Sequence, residues 1–134
     1  MSKKGFFLFV ENENTDTAGH RNDAAALMRD LWAFDEAVQI ALDFQKQNPD
    51  TLIIVTSDNG PEVPTVIQMR KDYQHDGARP WRGMKRDAWE GGHRVPFIVR
   101  WPGVFQAGLI SDQMINTTDI FATVASIVDF KLKD

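Results

Sequence analysis

The sequence contains no cysteine, and this absence excludes disulfide bonds, thiolate metal sites and cysteine nucleophiles. It also has no apolar run near the roughly 20 residues that a membrane-spanning helix needs. The apolar run at residues 6–10 is too short for the core of a signal peptide and has no small-residue cleavage site after it. We therefore expect no membrane partner and a cytoplasmic location for the chain as given.

An excess of basic residues is missing as well. Fifteen Lys and Arg face nineteen Asp and Glu, the formal net charge is −4, and the basic residues are spread along the chain. No basic stripe is available to neutralise a run of phosphates, so we expect no nucleic acid partner. The apolar share of 43% and the charged share of 25% are typical of soluble globular chains. A length of 134 residues then predicts a single domain over 1–134.

The hydrophobic pattern predicts an α/β fold. Residues 6–10 form an aromatic-rich apolar run that suits a buried strand, and residues 11–22 have the irregular pattern of a loop. Apolar residues at helical spacing follow from Asp23, with Asn22 or Asp23 as the predicted N-cap and Asn48-Pro49 as the stop. Residues 51–56 (TLIIVT) read as a second strand. A strand–helix–strand unit predicts a right-handed crossover between parallel strands.

The second half of the chain adds three features. Residues 62–93 have little periodicity and are predicted to form a long loop. Residues 95–101 read as a further strand, and Thr118 is the predicted cap of a C-terminal helix. The predicted architecture is therefore a mainly parallel sheet with flanking helices, built as a βαβ core, a long loop, a further strand and a C-terminal helix.

Polar residues follow both strands of the predicted crossover. Glu11 comes after the first strand and Asp58 after the second. Because parallel strands end at the same edge of a sheet, where α/β proteins bind their ligands, we expect these two carboxylates to lie near one rim.

The segment from Val10 to His20 resembles the metal-ligand segment of alkaline phosphatases. It reads V-E, then Asp16, then A-G-H, with the order and spacing that this family commonly shows as V-E-G-x-x-I-D-x-x-x-H. In that family the glutamate binds magnesium, and the aspartate and histidine hold zinc. The resemblance implies a magnesium ligand at Glu11 and zinc ligands at Asp16 and His20.

From residue 56 onward the sequence resembles sulfatases. The similar blocks are TSDNGPE at 56–62, PWRGMK at 80–85, WEGGHRVP at 89–96 and RWPG at 100–103. The resemblance implies that Asp58 and Asn59 coordinate calcium and that Lys85 contacts the sulfate group. Arg82 is a second candidate for the oxyanion, and the alternative is that Arg82, Lys85 and Arg86 form a solvated basic face. The resemblance to the alkaline phosphatase superfamily covers about 4–56 and about 56–130, which predicts a chimera or a designed recombination of two halves, 4–56 and 57–134.

Both families place a nucleophile segment upstream of these motifs: a serine after an aspartate in phosphatases, and C/S-x-P-S-R in sulfatases. Neither motif occurs in these 134 residues, so no catalytic residue is assignable. Three hypotheses follow. The chain is a metal-dependent ester hydrolase with a reduced site, a catalytically silent α/β domain, or a module that binds a divalent metal (Zn, Mg or Ca) or a small oxyanion. We favour silence or vestigial binding, and we expect a homodimer if a sheet edge is exposed.

Overall fold

The computed structural model of the chain describes residues 5–130. These residues form two compact units, with the boundary after Trp101. The first unit holds four of the described helices and both described strands, and the second holds one helix. The α/β class is confirmed. The predicted domain 1–134 and its halves, 4–56 and 57–134, include residues 1–4 and 131–134, which lie outside the described part. None of the described helices is long and apolar enough to cross a bilayer.

In chain order the first unit comprises α1 (Glu13–His20), α2 (Ala24–Gln47), β1 (Ile53–Thr56), α3 (Val63–Tyr73), α4 (Glu90–His93) and β2 (Phe97–Arg100), and the second unit contains α5 (Thr118–Ile127).

The long helix α2 begins and ends where local signals predicted. The Asp23 carboxylate accepts a hydrogen bond of 2.9 Å from the Ala26 N–H, which satisfies a donor that the first helical turn leaves free. At the other end the helix stops at Gln47, just before Asn48 and Pro49, because proline cannot continue a helical hydrogen-bond ladder. The predicted helix is confirmed.

The sheet differs from the prediction. Strands β1 and β2 pair antiparallel, with Ile53 opposite Arg100 and Thr56 opposite Phe97. This pair is not the predicted parallel crossover, which would join residues 6–10 to residues 51–56. Residues 6–10 are not a strand, and their side chains are 61–76% exposed. An apolar run forms a buried strand only when a sheet edge and a covering layer receive it, and in this segment only the Phe6 ring has a ring contact, with Phe44 at 5.7 Å.

Two predicted loops contain helices. Residues 11–22 include α1, and residues 62–93 include α3 and the short α4. The α1 sequence, ENTDTAGH, has weak helix formers and no apolar stripe, so periodicity could not reveal it. Packing stabilises it instead: Ala18 is buried, and the Thr65 hydroxyl of α3 donates to the Gly19 carbonyl at 2.9 Å.

The cap of α5 also differs from the prediction. The Asn116 side chain accepts from the Thr118 N–H at 3.0 Å, and the Asp119 carboxylate accepts from the Asn116 N–H at 2.7 Å. This reciprocal arrangement satisfies donors at the start of the helix. The capping side chain is thus Asn116, two residues before the predicted Thr118.

Asp76 fastens the end of α3 to the following loop. Its carboxylate lies 2.7 Å from the Arg70 guanidinium and 3.5 Å from that of Arg79, and its side chain is 9% exposed. The hydrogen bond from Arg70 lowers the pKa of Asp76 from its usual 3.8, and burial opposes this shift. The hydrogen bond from the Ala78 N–H and the positive charges of Arg70 and Arg79 lower the pKa further.

We expect Asp76→Asn to destabilise the protein at neutral pH and to have little effect in acid. The pKa of Asp76 is lower in the folded protein than in the unfolded chain, where it is near 3.8. The carboxylate therefore stabilises the folded state at pH values above 3.8, and this stabilisation is lost as the pH falls through the pKa of the folded state. Urea unfolding of both proteins across pH 2–7 measures the difference. Asp50→Asn, at an exposed turn, is the control, and a pH-independent gap between Asp76→Asn and the parent would contradict the prediction.

Candidate functional site

Helix α1 places two of the predicted metal ligands side by side. Asp16 and His20 are four residues apart, so they share one helix face, and His20 Nε2 lies 3.4 Å from Asp16 Oδ1. Both side chains are open to solvent, with exposures of 59% for Asp16 and 44% for His20. A carboxylate and an imidazole on one open face can supply two donors to a cation.

Lys85, a predicted oxyanion ligand, lies against the same helix. Its Nζ is 3.9 Å from Asp16 Oδ1 and 3.5 Å from Glu62 Oε2. Its backbone N–H donates to the Pro61 carbonyl at 3.0 Å, which fixes the segment around residue 85 beside the start of α3. We call Asp16, His20, Glu62 and Lys85 the Lys85 cluster. It joins residues from both halves of the sequence.

Glu62 was not predicted as a site residue. It is the N-cap of α3, its side chain accepts from the Val63 N–H at 3.2 Å, and it is only 10% exposed. Its carboxylate also lies 3.4 Å from the Arg86 guanidinium. The signal that could have found it is local: a glutamate just before Val63 and Pro64 has the pattern of a helix start, because proline is favoured in the first turn.

Three glycines allow the turn after β1 to approach the segment that carries Lys85. The Gly60 N–H donates to the Gly92 carbonyl at 2.9 Å, and the Gly91 N–H donates to the Arg82 carbonyl at 2.8 Å. A Cβ on Gly60 would collide with the Gly91 backbone, and a Cβ on Gly91 would come within 2.9 Å of the Arg82 carbonyl oxygen. The glycines of SDNGPE and WEGG are thus needed for this close backbone contact.

The other predicted metal ligands are Glu11, Asp58 and Asn59, and in the described residues their side chains form no hydrogen bond or ion pair with the Lys85 cluster. The Asn59 side-chain amide donates to the Asp58 carboxylate in the turn after β1, and Asp58 is exposed. Within residues 5–130, Glu11 makes neither a hydrogen bond nor an ion pair with its side chain. The predicted common rim for Glu11 and Asp58 rested on a parallel pair of strands, and the described sheet does not contain that pair.

Arg82 is engaged with an aromatic ring. Its guanidinium carbon lies 3.9 Å from the centre of the Trp89 ring, and that of Arg94 lies 4.1 Å from the centre of the Trp81 ring. Such stacking orients a guanidinium while its edges remain able to donate hydrogen bonds. The predicted oxyanion role of Arg82 stays a prediction.

The donor set is incomplete for a metal ion. In the described part of the chain, no three His, Asp or Glu side chains are grouped closely enough to hold one. The Lys85 cluster offers Asp16 and His20 as a pair, and the turn after β1 offers Asp58 and Asn59 as another. Each pair alone provides fewer ligands than zinc, calcium or magnesium takes in a stable protein site, so the predicted metal ligands stay predictions.

Comparison with known proteins gives the family. The family model described as Sulfatase matches residues 13–130. The chain is 37% identical to the arylsulfatase of Hemicentrotus pulcherrimus, and this match covers 91% of the chain and 23% of that protein. It is 38% identical to the human steryl-sulfatase, and this match covers 77% of the chain and 17% of that protein. It is also 46% identical to the repressible alkaline phosphatase of Saccharomyces cerevisiae, over 41% of its length and 10% of that protein.

These matches agree with the two resemblances in the sequence, and the kinship with the alkaline phosphatase superfamily is confirmed. The chain spans less than a quarter of the length of each of these three relatives. A recombination of two halves stays a prediction. Because the family model covers most of the sequence, including α1, the turn after β1 and the Lys85 segment, the chain belongs to the sulfatase family.

Proposed function

We propose that this chain carries a partial site for a divalent cation and a small oxyanion, of the kind that serves phosphate or sulfate ester hydrolysis, and that alone it has weak or no hydrolase activity. The observation that supports the proposal is the position of the Lys85 ammonium, 3.9 Å from Asp16 and 3.5 Å from Glu62. Two carboxylates from distant parts of the sequence therefore each lie within 4 Å of one ammonium group.

The charges predict an order of binding. The Lys85 ammonium is already paired with the carboxylates of Asp16 and Glu62, and Arg86 offsets part of the Glu62 charge, so an oxyanion that approaches Lys85 is still repelled by a nearby carboxylate. A divalent cation held by Asp16 and His20 would reverse the local balance and would leave Lys85 able to donate to the oxyanion. Binding of sulfate or phosphate should therefore require added metal.

Weak or absent turnover follows from the missing nucleophile. The 134 residues contain neither a serine that follows an aspartate nor the C/S-x-P-S-R motif. The two incomplete donor pairs supply no closed metal site in the described residues. A positioned nucleophile and preorganised electrostatics supply much of the rate of such enzymes, and their loss costs many orders of magnitude.

A silent domain is the second candidate, and the incomplete donor set favours it. It predicts a thermal midpoint that does not move with metal or chelator. The partial site predicts the opposite, because a ligand that binds only the folded state raises its stability.

Metal titration by calorimetry, with calcium, magnesium and zinc in turn, tests the proposed site. We expect binding of at least one metal, weakened about tenfold or more by Asp16→Ala, because a charged ligand is lost from a small donor set. Asp58→Ala tests the second donor pair in the same way, and Asp50→Ala is a matched control at an exposed aspartate. Unchanged metal binding in the protein carrying both Asp16→Ala and Asp58→Ala would overturn the proposal.

A further inference from the structure

A cleft of about 440 Å³ lies between α2 and the two-stranded sheet. Its helical wall includes Leu31, Phe34 and Val38, which recur at the three- and four-residue spacing of one helix face. Val55 and Ile98 form part of the facing sheet wall. The lining is mainly apolar, yet Leu31 is 49% exposed and Ile98 is 60% exposed. An apolar surface of this kind gains free energy when a partner covers it.

Two opposite charges lie on opposite walls of this cleft. Asp35 projects from α2 among the apolar lining residues, and Arg100 lies at the end of β2. Neither side chain forms an ion pair or a hydrogen bond with another described residue. The cleft therefore presents one acidic wall and one basic wall, each without a local partner in the described structure.

We propose that a second copy of this chain covers the cleft about a two-fold axis, with Asp35 of each copy against Arg100 of the partner subunit. A two-fold interface brings each surface against its own copy, so a residue pair i and j is formed twice. The cleft carries an acidic residue on one wall and a basic residue on the other, so two copies related by a two-fold axis can place each charge against its opposite. The apolar lining supplies the buried centre of the interface, and the two ion pairs fix its orientation.

The other candidate occupant is the exposed apolar segment 6–10 of the same chain. Its ring contact is with Phe44, which is not a lining residue of the cleft. The segment also has no charged residue within it to meet Asp35 or Arg100. A second copy satisfies both charges, and residues 6–10 satisfy neither.

Sedimentation equilibrium of the intact chain and four variants tests the proposal. The wild-type chain should reach twice its 15.2 kDa mass as concentration rises. Asp35→Arg and Arg100→Asp should each weaken association by about a hundredfold or more, because each creates two like-charge contacts per dimer. The protein with both substitutions should regain most of the affinity, since the swap restores two opposite-charge pairs.

Glu36→Arg is the matched control, because it makes the same charge change at the next position of α2 and does not line the cleft. It should dimerise like the wild-type chain. Circular dichroism of every variant is measured beside it, and the helix content should match that of the wild-type chain. A wild-type chain that stays monomeric would overturn the proposal, and so would a dimer that responds alike to Asp35→Arg and Glu36→Arg, or one that the double swap fails to restore.

Discussion

Replacing Gly92 with alanine is expected to lower the free energy of unfolding by about 3 kcal/mol or more. Gly92 is buried, and a Cβ there would lie 2.6 Å from the Met84 carbonyl oxygen and still closer to that of Asp87. Both obstacles are backbone atoms, which cannot rotate away as a side chain can. The segment that carries Lys85 must therefore move.

Gly19→Ala is the control for this substitution. A Cβ on Gly19 meets nothing within 4 Å in the described structure, and Gly19 lies within α1. Alanine in a helix is favoured over glycine by roughly 0.5–1 kcal/mol, so this variant should be slightly stabilised. Chemical denaturation measures both variants. A Gly92→Ala protein as stable as the parent would contradict the close backbone contact between the turn after β1 and residues 84–92.

Replacing Gln45 with alanine is expected to destabilise the protein by about 2–4 kcal/mol. The Gln45 side chain is almost wholly buried, and its amide donates to the Thr51 carbonyl at 2.6 Å and to the Arg100 carbonyl at 3.0 Å. It thus links α2 to the start of β1 and the end of β2. Alanine removes both hydrogen bonds and leaves a cavity beside two carbonyl groups.

Two comparisons make the Gln45 result specific. Gln39→Ala removes an exposed glutamine of the same helix that donates to Asp43 at 3.0 Å, and it should cost less than about 0.5 kcal/mol. Gln45→Met keeps most of the volume but not the donors, so its loss should fall between the two. If all three variants have the same stability, Gln45 does not connect the helix and the sheet.

Local signals predicted a substantial part of the fold. The start of α2 at Asp23 and its stop before Pro49 depend on caps and proline, which act over a few residues. Strand β1 lies inside the predicted 51–56, and β2 lies inside the predicted 95–101. These strands are β-branched or aromatic runs bounded by turn residues, so composition alone identifies them.

The pairing of the strands could not be predicted in the same way. Whether β1 and β2 are parallel or antiparallel depends on the path of residues 57–96. In this stretch α3 begins at Val63, after its cap Glu62, and has no clear apolar stripe. Helix α1 was missed because its stability comes from packing on α2 and α3 and not from its own residues. Contacts between distant segments decided both features.

The candidate site was predictable residue by residue but not as an arrangement. The family resemblance named Asp16, His20 and Lys85, and these three side chains lie in one connected cluster. The same resemblance named Glu11, but none of the ion pairs of that cluster in the described residues involves Glu11. Glu62 was overlooked because a helix N-cap is a structural position, and its closeness to Lys85 depends on the backbone contact at Pro61.

In the proposed function, α1 and Lys85 belong to one cation-binding site. Zinc affinity of four proteins tests it: the wild-type chain, Asp16→Asn, Lys85→Met and the protein with both changes. Lys85→Met should tighten zinc binding about tenfold, because it removes a positive charge 3.9 Å from Asp16 at a partly solvated site. Most of that gain should vanish when Asp16 is already asparagine. An equal gain with and without the Asp16 carboxylate, or no gain at all, would contradict a shared site.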